Sequence, residues 1–199
     1  MHVLREGRGT ADESRWPPLL VSLRRAVRPD RARVAAYFSL QRRPLDWAGY
    51  ADFLTAHRGF IAALDRALLK AGTETHDPLP DAAGSSGAGE EAEVPVALPP
   101  PCSRAHALGY LYVLEGFRLG CAVLSRRIRG RSEPWAKAPG PEHGTSLGWR
   151  ELVAALRPVP AEDHAAVVQG AQEAFAAWQD RLSSALARLG LTSTEAHAA

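Results

Sequence analysis

Residues 107–128, ALGYLYVLEGFRLGCAVLSRRI, form an apolar stretch of helical character interrupted by Gly109, Gly116 and Gly120. Glycine in a helix interior costs roughly 1 kcal/mol against alanine, so several in one helix call for a physical reason, such as the close approach of a neighbouring backbone or of a flat ligand. Gly116 and Gly120 stand one turn apart and leave a bare strip on the helix. The strip has two readings: tight packing on another helix through small residues, or a wall against which a flat molecule lies.

Working outward, Pro17 and Pro18 open a helix expected over residues 18–40, with Leu20, Leu23, Val27, Val34 and Phe38 at helical spacing. Arg31 falls on the same stripe, four residues after Val27 and three before Val34, and Pro29 should bend the helix beside it. Its plain reading is a long side chain at the edge of the core with its head in water. A second helix is expected over residues 46–70, capped by Asp46, with Trp47, Tyr50, Phe53, Leu54, Ile61, Leu64 and Leu68 on its buried side. His57 sits among them, where a histidine is either a hydrogen-bonded core residue or a ligand.

Residues 72–101, GTETHDPLPDAAGSSGAGEEAEVPVALPPP, are rich in glycine, serine, proline and acid and offer little to bury, so they read as a disordered linker inside one domain. The glycine-bearing helix follows over 103–129, then a Gly/Pro-rich connection over 130–147 and a short helix over 149–156. A long amphipathic helix over 162–189 repeats apolar residues at Val168, Ala171, Phe175, Trp178, Leu182, Leu186 and Leu189. No useful strand-like alternation and no internal repeat interrupt this pattern. The expected fold is all-α, a single helical bundle over residues 16–190 with flexible ends at 1–15 and 191–199.

At 199 residues, 46% hydrophobic and 23% charged, the chain suits one globular domain. A net charge of +2 supplies no broad field for nucleic acid. Lys70 and Lys137 are the only lysines, so the positive charge is almost wholly arginine, the residue that forks onto carboxylates and phosphates. The opening MHVLREGRGTADESRW lacks the apolar core of a secretory signal, and no run is long enough to cross a bilayer, so a cytoplasmic protein without membrane contact is expected. Cys102 and Cys121 have no metal-ligand spacing and are expected as free thiols.

With the helices placed, LYVLEGFRLGCAVLSRRI (111–128) resembles the distal helix of the bacterial haem oxygenases, LYVLEGSxLGGxxIxR. LRRAVRPDR (23–31) is similar to that family's first-helix pattern LRxATRPxH, and YADFLTAHRGFIAALDRAL (50–68) to its second, YxxFLxAHxxFxxxLExxL. HGTSLGWRELVAAL (143–156) and AAVVQGAQEAFAAWQDRL (165–182) resemble its C-terminal half. The resemblance implies a haem oxygenase-type bundle in which haem lies between the first helix, whose histidine binds iron, and the distal helix, whose bare glycines admit the macrocycle and oxygen. The implied reaction opens the ring to biliverdin, carbon monoxide and iron, with electrons from a reductase; a bacterial phytochrome is an implied partner.

The chain departs from the family pattern at the decisive position, because Arg31 stands where the proximal histidine would. A guanidinium has no lone pair for iron. Phe117 replaces the serine of the distal motif and Cys121 its second paired glycine, both adding volume beside Gly116 and Gly120. Oxidative cleavage of haem is therefore expected to be impaired or absent in a tetrapyrrole pocket lined by Arg31, Gly116, Phe117, Gly120 and Cys121. Arg24 and Arg31 would face the carboxylates of a pigment such as biliverdin. Two alternatives stay open. One is an active oxygenase with an unconventional ligand drawn from Cys121, His57 or His106; the other is an interaction module built on the same fold.

Overall fold

The computed structural model describes residues 16–39, 47–74, 98–129 and 147–188. Among these residues every regular element is helical and no strand occurs: α1 (Pro18–Ala26), α2 (Arg28–Ser39), α3 (Trp47–Glu74), α4 (Arg104–Arg129), α5 (Leu147–Leu156) and α6 (His164–Arg188), with a short 3-10 turn (Ala161–Asp163) leading into α6. The expected all-α architecture is therefore present. The flanks 1–15 and 191–199, most of the 72–101 linker and the Asp46 cap lie outside the described residues, as do the side chains of Phe38, Trp47, Tyr50, Phe53, Leu54, Cys121, Leu186 and Leu189 and the surroundings of Gly120.

The helix expected over 18–40 is two helices. The α-helical pattern is interrupted at Val27, where the backbone turns to φ −91° and ψ 9°. Pro29 follows two residues later, at the second position of α2, where its missing N–H breaks no helical bond. Hydrogen bonds bridge the interruption, Val27 N–H to Leu23 O and Arg31 N–H to Val27 O, both 3.0 Å. Leu19, Leu20 and Leu23 anchor α1, and Val27 and Val34 are buried on either side of Arg31, which is itself exposed. The interruption is local: buried positions continue across it from Leu23 through Val27 to Val34.

Helix α4 is central. From Ala105 to Glu115 every residue is buried, which an amphipathic surface helix never shows. Ser103 caps its start: its Oγ accepts the His106 N–H at 3.1 Å, and its carbonyl accepts the Ala107 N–H at 3.0 Å. α4 packs most extensively on α6, and α3, α5, α1 and α2 surround this pair. α3 lays Ala56, Phe60, Ala63, Leu64, Ala67 and Leu68 on the core at helical spacing. The far end of the expected linker is anchored, since Pro101 is buried and Tyr110 donates its hydroxyl to Pro99 O at 3.2 Å.

Candidate functional site

The glycines of α4 do different things. A Cβ built at Gly109 collides with the α6 backbone around Val167, Gly170 and Ala171, so this glycine lets two helices touch. Gly116 is exposed, and a Cβ built there meets nothing within 4 Å. The glycines thus differ by position: Gly109 serves packing, and Gly116 faces open space.

Tyr112, one turn before Gly116 and on the same face of α4, is buried. Burial pushes its hydroxyl above the usual tyrosine range, against the opposing pull of the nearby guanidinium charges of Arg31 and Arg24. Tyr112 also packs on Trp149, with ring centroids 5.9 Å apart; Trp149 stands edge-on to Trp16 at 6.4 Å, and Arg24 lies over Trp16 at 5.8 Å. An open groove of about 400 Å³ runs between Trp16, Trp149, Arg150, Val153, Ala154 and Arg157. Neither the tryptophan pair nor these arginines stand out in the sequence. Trp16 precedes the first helix and Trp149 belongs to a short one, so only folding brings them together.

Phe117 points another way. Its ring packs among His57, Phe60, Phe175 and Trp178 at centroid distances of 6.1, 5.5, 6.0 and 5.1 Å, joining α4 to α3 and α6. The half-buried Phe117 ring packs against the core.

The three ligand candidates are placed as follows. His57 is 3% exposed inside this aromatic cluster, where burial, aided by the charge of Arg58, pushes its imidazole down to about 4. His106 is held between Cys102 and Glu173, about 15 Å along α4 from Gly116 by helical rise. Cys121 belongs to α4, but its side chain lies outside the described residues. Among the described residues no group of three His, Cys, Asp or Glu side chains is arranged to hold a metal ion.

Glu115, beside Gly116, is buried and forms an ion pair with Arg118 at 2.5 Å. Its carboxylate also lies against Gly148 in the first turn of α5, where a Cβ would come within 2.7 Å of it. This acid fixes α5, and with it Trp149, against the central helix. The donor set does not suit haem iron: the residue at the expected ligand position is an exposed arginine, and the buried His57 is enclosed by aromatic rings. The arginines with a placed aromatic neighbour are Arg24, over Trp16, and Arg150 and Arg157, which line the groove beside Trp16 and Trp149. Among the described residues no helix is long and apolar enough to cross a membrane. No protein-family model, curated protein or solved structure matches this chain.

Proposed function

We propose that this chain is a haem oxygenase-type protein that binds a tetrapyrrole between α2 and α4 without cleaving it through a proximal ligand. The carrying observation is the open strip at Gly116 beside Tyr112, on a face reached by the charges of Arg31 and Arg24. A pigment with two carboxylates, such as biliverdin, matches that arrangement: its ring system lies along the glycine face and its acids meet the guanidinium groups. Arg31 turns the iron-binding position into an anion-binding one. No oxidative step is assigned to the site.

Absorbance titration with biliverdin and with haem tests the reading. The expected result is a shifted biliverdin spectrum with saturable binding, weakened about tenfold or more by Arg31→Glu, since reversing one charge of a charge-assisted pair costs at least 1.4 kcal/mol or so. Wild-type protein that leaves both pigment spectra unchanged sinks it. The packing of Phe117 among four rings favours a second reading, an interaction protein in which the bundle has been consolidated. That reading requires that neither pigment bind.

A further inference from the structure

At the N-terminal end of α4, three side chains from two distant segments form a relay. Cys102 is exposed, and its Sγ lies 3.3 Å from Nδ1 of His106. The other ring nitrogen of His106, Nε2, lies 3.1 Å from Oε2 of Glu173 on α6. The backbone N–H of Cys102 also donates to Nδ1 at 3.3 Å, which makes Nδ1 the acceptor and leaves the ring proton on Nε2, facing the carboxylate. The single Nδ1 lone pair is thus shared between the Cys102 backbone N–H and its thiol, both 3.3 Å away.

The surroundings hold that orientation. The His106 side chain is 5% exposed, and its ring packs edge-on to Tyr110 at 5.2 Å and against the bare Cα of Gly170, where a Cβ would approach Cδ2 at 2.5 Å. Glu173 accepts from Tyr110 Oη at 3.2 Å and from Gln169 Nε2 at 2.8 Å. Tyr110 keeps its proton, because burial and then the charge and hydrogen bond of Glu173, with a further contribution from Cys102, all push it upward. Cys102 precedes the Ser103 cap of α4, so the first-turn N–H groups of Arg104 and Ala105, which have no intrahelical acceptor, put the positive end of the helix near the sulfur. A nucleophile, a base in hydrogen-bond reach and a third group that orients the base are the parts an activated thiol requires.

We propose that Cys102 is a nucleophilic thiol, with His106 as its base and Glu173 as the positioning residue, that reacts with low-molecular-weight disulfides. The Cys102 thiol passes its proton to Nδ1 of His106, and the sulfur attacks one sulfur of the disulfide. The disulfide bond breaks as the mixed disulfide forms on Cys102, and the departing thiolate takes the proton back from His106. One protein thiol and one disulfide become one mixed disulfide and one free thiol. The groups around the pair are Tyr110 from α4 and Glu173 from α6, with the Pro99 carbonyl bonded to Tyr110 and Gln169 to Glu173.

The full-length protein is reacted with dithiobis(nitrobenzoic acid), and separately with oxidised glutathione, across a range of pH, and modification of Cys102 and Cys121 is assigned by peptide mass. Cys102 is expected to react faster in wild type than in His106→Asn or Glu173→Gln, by about tenfold near pH 6, with the difference vanishing above about pH 9 where any exposed thiol ionises unaided. Equal Cys102 rates in wild type and both variants at the lower pH overturn the proposal. So does a difference that persists unchanged at the higher pH, since that reports altered access. Far-ultraviolet circular dichroism checks that each variant is folded; Glu173 is 34% exposed, so Glu173→Gln decides the matter should His106→Asn not fold.

Discussion

Gly109 of α4 and Gly170 of α6 bring two helix backbones into direct contact: Ala171 N would stand 2.6 Å from a Cβ at Gly109, and His106 Cδ2 2.5 Å from one at Gly170. The crossing of the two central helices depends on the absence of those atoms. Gly109→Ala or Gly170→Ala should lower unfolding free energy by about 3 kcal/mol, the upper range for overpacking, because backbone rather than a flexible side chain must yield. Gly116→Ala should instead stabilise by about 0.5 to 1 kcal/mol, since the added methyl enters open space within a helix. Urea unfolding of the three variants checks the contrast.

His57 gives stability a pH dependence of known sign. Its imidazole is held near 4 when folded and returns to 6.5 when unfolded, so between those values the unfolded chain binds a proton that the folded chain refuses. Stability contributed by this site should be full above about pH 6.5, fall as acid is added, and level off below about pH 4 after a loss of about 3 kcal/mol. Denaturant titrations of wild type and His57→Leu across this window should show that the variant lacks this component of the slope.

The Glu115–Arg118 pair is enclosed, with side-chain exposures of 5% and 9%. Arg118→Met should cost about 3 to 5 kcal/mol, because it leaves a carboxylate buried against the start of α5. Adding Glu115→Leu should recover a large part of that loss. A double-mutant cycle in urea measures the coupling.

Arg31→His tests whether α2 still faces a haem-sized space. The side chain at this position is exposed, so an imidazole here would be free to offer its lone pair. Ferric haem titrated into this variant should give a shifted Soret band that wild type lacks. An unchanged band would mean that the space beside Gly116 does not admit the macrocycle.

Helix placement was largely legible because the apolar spacing of α3, α4 and α6 has a helical period; burial follows it in α3 and α6, with Val167 rather than Val168 fully buried, whereas α4 is buried on every side from Ala105 to Glu115. The first helix is divided at Val27, two residues before Pro29, a local change of backbone that apolar spacing does not register because Leu23, Val27 and Val34 are buried on both sides of it. The site was less legible. Three glycines in one helix look alike in the sequence, yet Gly109 meets a backbone and Gly116 meets nothing. What separates them is the position of α6.

By itself, the sequence determined helices as the regular elements of the described residues, the glycine-bearing helix among them, and a guanidinium without a lone pair at position 31, since these follow from periodicity and side-chain chemistry. Tertiary structure alone decided that Phe117 packs against the core, that Trp16 and Trp149 share a groove, and that Cys102 and His106 meet Glu173 from α6. Such contacts join residues far apart along the chain, and short-range spacing carries no information about which helix faces will pack together.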